Sequence, residues 1–349
     1  KTAYEIRLSL VGSEMCIRDR GDTWQGSAIS LFTNGMDMVQ ASNILGVDVM
    51  TGHWEFTFGE EQFLDNLSNF NGEFVANNVF LNDEAIFNDI QAYNDENHYQ
   101  KPYTIKVING RQIAIIGQAF PYTPIANPSR LVPNLTFGIR EQELQTTLDK
   151  VKVKHKPDLV VVLSHNGIDV DKKLASRVNG IDIILGGHTH DAVPNTIEVK
   201  NNSGVTLVAN SGCNGKFISV MDIKFSGKSY TYKYNLIPIL SSQIAPDKDM
   251  ERYINKISDP YKADLSEIVG YASETLYRRS NFNGTFDDLL CDSMNNVLGT
   301  QLSLSPGFRW GATLLPNQSI SMEDIYNHTA ITYPNTYVRE MSGETIKNI

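Results

Sequence analysis

The sequence predicts an α/β fold in two domains, and three observations predict it. Short apolar runs recur and mostly end in glycine or polar residues: VDVMTG (47–52), FVANNVF (74–80), RQIAIIGQAF (111–120), PDLVVVLSHNG (157–167), IDIILGGHTH (181–190) and GVTLVANSG (204–212). Runs of this length and composition suit strands buried on both faces. Helical stretches separate some of them, as in REQELQTTLDKVKVKH (140–155) and VDKKLASRVN (170–179). Two alternating segments follow, SVMDIKF (219–225) and KSYTYKYNLIPI (228–239), which read as antiparallel strands. The polar stretch from residue 241 to 265 then enters a helix and marks a domain boundary. The expected division is 21–245 for a first domain and 258–349 for a second, smaller α/β domain.

The chain has 349 residues, of which 41% are hydrophobic and 20% charged, enough for two cored domains. Its formal charge of −10 argues against a nucleic-acid partner. No apolar run approaches the ~18 residues that a membrane-spanning helix needs. Cys16, Cys213 and Cys291 show no partner motif, and the last two are expected to be buried thiols. Residues 1–20, KTAYEIRLSLVGSEMCIRDR, resemble translated sequencing adapter and are set aside from fold reasoning. The final GETIKNI stops in mid-pattern, so the second domain is expected to be incomplete.

Chemistry concentrates at the ends of the apolar runs, where α/β folds place their sites. Asp22 stands in GDTWQGS, His53 in GHWEF, His165 in LSHNG, and His188 and His190 in GGHTHD. Neutral imidazoles and carboxylates are ligands for divalent manganese, zinc or iron. A bridging carboxylate can hold two cations a few ångströms apart and so acidify a water between them. One such histidine alone would more often be structural; the joint pattern favours metal. His98 and His155 lie in polar, helix-like surroundings and read as surface residues, while His328 in YNHTAITYP reads as structural.

These blocks resemble the calcineurin-like metallophosphoesterases of the 5′-nucleotidase type. GDTWQGS, DVMTGHWEFTFG, SPGFRWG and TAITYPNTYV together resemble the SoxB-type thiosulfohydrolases of the Sox sulfur-oxidation system, over residues 21–349. The resemblance implies a four-layered α-β-β-α first domain and a C-terminal domain of the 5′-nucleotidase kind. It implies two divalent ions, manganese or alternatively zinc. Asp22 would bridge them, His53, His165 and His188 would serve one, and His190 the other. The family's Asp-x-His motif, needed by that other ion, has no match in residues 1–20. The chain as written is therefore expected to bind one ion well, the other poorly, and to be inactive.

An ungapped match puts Trp54 where the family's phosphatases carry a leaving-group histidine, and Thr57 where they carry its aspartate partner. Losing both fits a leaving group that departs as an anion without a general acid. The resemblance implies hydrolysis of a cysteine S-thiosulfonate on the carrier protein SoxY, of the SoxYZ complex, in the periplasm. Trp54 would line a channel for the carrier's arm. Arg309 would bind the anion, Tyr333 and Tyr337 would line the same cleft, and Asp287 and Asp288 read as capping or structural. Two alternatives stand: a 5′-nucleotidase or cyclic-nucleotide phosphohydrolase, and an inactive metal-binding fragment that only docks the carrier.

Overall fold

The structure, a computed structural model, describes residues 16–278, 283–305, 311–329 and 335–348. Two compact units divide the chain. The first comprises Lys1–Gln25 with Thr33–Ile257, the second Gly26–Phe32 with Ser258–Ile349. Among the described residues the first unit contains thirteen strands: β1 (Ile17–Asp19), β2 (Val47–Met50), β3 (Glu73–Phe74), β4 (Phe80–Leu81), β5 (Tyr103–Ile108), β6 (Arg111–Gln118), β7 (Leu135–Thr136), β8 (Leu159–Ser164), β9 (Ile183–Gly186), β10 (Ile197–Asn201), β11 (Gly204–Asn210), β12 (Phe217–Ser226) and β13 (Ser229–Pro238). Strands β1, β2 and β3 form a parallel sheet. A six-stranded sheet runs in the order β10-β11-β9-β8-β6-β5, parallel through β11, β9, β8 and β6, with β5 and β10 as antiparallel edges. Pairs β4–β7 and β12–β13 complete the unit.

Side-chain alternation along the strands sets the layers. On β6, Ile113 and Ile115 face one core while Ala114 and Ile116 face another; on β8, Val161 and Leu163 divide in the same way from Val160 and Val162. The first face meets Val49 and Val75 from the β1–β3 side, together with Met221, Ile223 and Phe225 of the long hairpin. The second face is covered by Leu144, Leu148 and Val151 of helix Glu141–His155 and by Leu174 and Ala175 of helix Ile168–Arg177. On the far side of β1–β3 lies an aromatic core of Trp24, Phe56, Phe63, Phe70 and Phe74, closed by helices Met36–Leu45 and Glu60–Ser68. The order is helix, sheet, sheet, helix. Strands buried on both faces must read as continuous apolar runs, which is why LVVVLS and IAIIG carry no polar alternation.

The stretch 74–80 is not one strand, as its apolar run suggests. Only Glu73 and Phe74 pair with β2. The next amides donate to Met50, Lys101 and Gly117 carbonyls in turn, so the chain crosses from one sheet to the other. Gly117 allows this crossing, because a Cβ there would overlap the Val75 carbonyl. His98, expected at the surface, is 2% exposed; its ring meets the Asn94 side chain and the Asn77 carbonyl. Its polar neighbours in sequence misled because one of them, Asn94, folds back onto the ring, while the distant Asn77 completes the buried pocket. Residues 17–19, set aside above, run parallel to β2. Cys213 and Cys291 are half-buried rather than buried.

In the second unit, Ala272, Leu276, Phe286, Leu314 and Ile320 form the core. Residues 26–32 group here rather than with 21–245 because Phe32 packs on Tyr261 and Tyr326, at centroid distances of 4.9 and 5.3 Å. Asp287 is structural: it accepts from Arg278 in a buried ion pair, and Arg278 also donates to the His328 carbonyl. Asp288 accepts from the Asn283 side chain. His328 is buried and stacks on Phe286.

On β3, Glu73 pairs with Lys101 and Lys106 and accepts from Thr104. Partial burial raises its pKa, but these partners outweigh that and hold it at about 2, below its ordinary 4.5. A depressed carboxyl stabilises the fold above its unfolded pKa and loses that contribution as pH falls through the folded one. The stability gap between the native chain and Glu73→Gln should therefore be constant above pH 4.5 and shrink as pH falls toward about 2. Urea unfolding midpoints of both forms across that range check it; a gap independent of pH would refute it.

Candidate metal centre

The sheet topology brings four strand ends together. β2 delivers His53 through Gly52, β8 delivers His165, β9 delivers His188, and the turn after β1 delivers Asp22. Asp22, His53, His165 and His188 each offer one ligand atom, and these atoms lie within 4.8 Å of one another. Asp22 Oδ2 is 2.9 Å from His165 Nε2, and Asp22 Oδ1 is 2.9 Å from His53 Nδ1. The His53 approach is too poorly aligned to be a hydrogen bond, and both of its buried ring nitrogens lack one. Buried imidazole nitrogens that make no well-aligned hydrogen bond suit a cation. Three nitrogens and one carboxylate oxygen suit zinc, manganese or iron equally.

The backbone is strained where it presents these groups. Asp22, His188 and His190 all have positive φ, at 65°, 71° and 61°. Side-chain-bearing residues adopt that region at a cost of order 1 kcal/mol, and such outliers gather at functional sites. His190 is half-buried and is not brought into the four-residue group. Among the described residues no second group of three or more His, Cys, Asp or Glu side chains gathers to hold another ion. The residues fit one ion and do not by themselves fit two. Arg20 lies at the same edge, donating to the Gly186 and Asn210 oxygens.

Charge balance follows from burial. Burial opposes an ionised Asp22, but His165 and His53 outweigh it and hold the carboxyl well below its ordinary range. His165 is pushed up, since Asp22 overcomes the burial that would lower it. His53 goes down because burial dominates, and His188 is lowered by burial and by the facing His165 and His53 to about 3. Aromatic rings wall the imidazoles. Phe120 lies 4.0 Å from His53 and 4.1 Å from His188, and Trp54 stacks on His53 at 4.7 Å, centroid to centroid.

Trp54 is 8% exposed and its backbone N–H donates to Asp22 Oδ1. Thr57 is buried in the same turn. Tyr337 is exposed in the second unit, and Arg309 and Tyr333 lie outside the described residues. Two groups escaped the sequence reading. Glu55, fully buried, accepts backbone N–H groups from His53, Asp22, Thr23 and Trp24 at 2.7, 3.2, 2.7 and 3.4 Å. An acid between two aromatics, W-E-F, was the available signal. Asp171, also buried, is raised by burial to about 7; nothing in DVDKK separates it from ordinary helix-start acids.

Comparison with known proteins gives a consistent frame. No protein-family model matches the chain. The solved structure of the Thermus thermophilus sulfate thiohydrolase SoxB is 31% identical at a TM-score of 0.82, covering 91% of this chain and 56% of that one. A 5′-nucleotidase precursor, also from Thermus thermophilus, is 24% identical at 0.77, covering 89% and 64%. Among curated proteins, a trifunctional nucleotide phosphoesterase of Bacillus subtilis is 25% identical over 94% of this chain and 24% of its own length. A venom 5′-nucleotidase of Gloydius brevicauda is 27% identical over 82% and 51%. The chain thus spans about half or less of these curated relatives. The likenesses support the 5′-nucleotidase and calcineurin-like phosphoesterase family, whose members are metal-dependent hydrolases. No helix among the described residues is long and apolar enough to cross a membrane.

Replacing Glu55 by Gln removes one acceptor and turns a donor toward backbone N–H groups. Hydrogen bonds to a charged acceptor contribute ~1.5–3 kcal/mol each. Glu55→Gln is expected to lower manganese affinity at least ~10-fold, the scale of outer-shell substitutions. Isothermal titration decides it, and unchanged affinity would show that the carboxylate does not hold the loops.

Proposed function

We propose that this chain carries the metal centre of a thiosulfohydrolase, which releases sulfate from a cysteine S-thiosulfonate borne by a carrier protein of the SoxY kind. The observation that carries the reading is the turn at 53–57. Trp54 stacks on His53 and Thr57 is buried in the same turn; an ungapped match would set them where the family's phosphatases carry a histidine and its aspartate partner. An indole donates weakly and cannot shuttle a proton at neutral pH. An alkoxide leaving group gains from a general acid, whereas a sulfane-sulfur anion, related to a thiol of pKa about 8.5, leaves without one. The likeness to the sulfate thiohydrolase points the same way.

Asp22, His53, His165 and His188 would hold a divalent ion, which when bound supplies a Lewis acid and a more acidic water. Their own work is geometric and electrostatic. Asp22 keeps its negative charge inside the site, and His53 and His188 stay neutral, with lone pairs free to coordinate. Phe120 and Trp54 cover the faces of the His53 ring and leave its edges, which carry the nitrogens, for coordination. The choice of manganese, anion binding by Arg309, Tyr333 and Tyr337, a periplasmic location and, once an Asp-x-His motif is supplied, a second metal served by His190 belong to the same proposal. A nucleotidase reading is favoured by the curated relatives, which act on nucleotides by name.

Metal analysis after manganese loading should give one equivalent per chain; two tightly held equivalents would overturn the single-ion reading. Activity separates the two reactions. With residues 1–20 exchanged for a strand ending in Asp-x-His, the protein should release sulfate from a cysteine S-thiosulfonate peptide and no phosphate from a nucleoside monophosphate. Phosphate without sulfate would make it a nucleotidase. In that background, Trp54→His with Thr57→Asp should gain phosphatase activity by ~100-fold, the usual scale of general-acid help; no gain would remove the argument from the turn.

A further inference from the structure

His165 follows directly on the end of β8 and His188 follows one residue after the end of β9, where Ser164 and Gly186 are paired neighbours in the sheet. Beneath that pair lies Asp171, on the first turns of helix Ile168–Arg177 and fully buried. Asp171 Oδ1 accepts from Ser164 Oγ at 2.6 Å, and Ser164 Oγ accepts from the Asn166 N–H at 3.2 Å. Through the Ser164 hydroxyl the carboxyl thus ties together the residues on both sides of His165. Its other oxygen lies where a side chain on residue 186 would stand: a Cβ on Gly186 would overlap Asp171 Oδ2. Next along, a Cβ on Gly187 would lie 3.1 Å from His165 Nδ1. The double glycine leaves room for a carboxyl under one loop and an imidazole against the other.

We propose that Asp171 is a positioning residue, which sets the separation of His165 from His188 by hydrogen-bonding Ser164 and filling the space under Gly186. The two rings stand 5.3 Å apart, centroid to centroid. Asp171 Oδ2 makes no well-aligned hydrogen bond, although the Asn166 side chain stands beside the carboxyl and partly offsets its burial. A buried oxygen so weakly paired is costly and calls for a reason. Wedging a glycine loop is such a reason, since it uses the volume of the oxygen rather than its lone pairs.

This inference rests on the metal-centre reading, and manganese affinity, measured by isothermal titration with the electron paramagnetic resonance signal of the bound ion, separates the two. Asp171→Ala and Gly186→Ala should each weaken manganese binding by ~10–100-fold, the range for residues that orient metal ligands. The double variant should be no weaker than the worse single one, because both act through one contact. Asp171→Asn, which keeps volume and the Ser164 bond, should bind within about threefold of the native chain. It also serves if Asp171→Ala does not fold: Asn then has to fold and bind, while Gly186→Ala has to fold and bind weakly. Native affinity in a folded Asp171→Ala or Gly186→Ala, additive losses in the double variant, or weak binding by a folded Asp171→Asn would each overturn the proposal. A native chain that binds no manganese would overturn the metal centre itself.

Discussion

The metal centre depends on one buried carboxylate that is not among its candidate ligands. Glu55 receives N–H groups from two segments some thirty residues apart, Asp22–Trp24 and His53, and so ties one ligand loop to the other. Burial, and then the nearby Asp22 charge, push its pKa up, while these N–H groups oppose that rise. Such a group costs more in desolvation than one hydrogen bond returns; four donors, preassembled by the turns, offset it. Its removal would free the two loops from each other as well as from itself. The positive φ at Asp22 makes the same point from the other side, because a strained residue stays in place only where its surroundings over-determine it.

Much of this was legible in the sequence, for a physical reason. Strands covered on both faces cannot hide their composition, so β2, β6, β8, β9 and β11 stood out as apolar runs. Glycine and histidine crowd the ends of several of them because ligands must turn sharply out of a sheet. What stayed hidden depends on tertiary partners. The run 74–80 is apolar because it is buried while it crosses between sheets, and burial alone cannot distinguish a crossing from a strand. His98 looked superficial because its partners are polar. Asp171 resembled any acid that favours a helix start. The strand formed by residues 17–19 owes its place to β2 rather than to its own sequence.

The aromatic walls give the last step. His53 is held between Trp54 and Phe120, and Phe120 also covers His188. Rings of this kind exclude water and lower the local dielectric, which disfavours protonated imidazole and leaves both histidines in the form that can coordinate a cation. The same surroundings strengthen the pull between Asp22 and any positive charge placed beside it. His165 answers that pull, and its pKa rises accordingly. A divalent ion held there would supply the same attraction with twice the charge. If the ungapped match holds, tryptophan beside His53 would do more than replace a proton donor. It would turn one wall of the site from a group that exchanges protons with substrate into one that shapes the field around the candidate metal ligands. Chemistry that needs charge stabilisation keeps its support under that change, and chemistry that needs proton delivery at that wall does not.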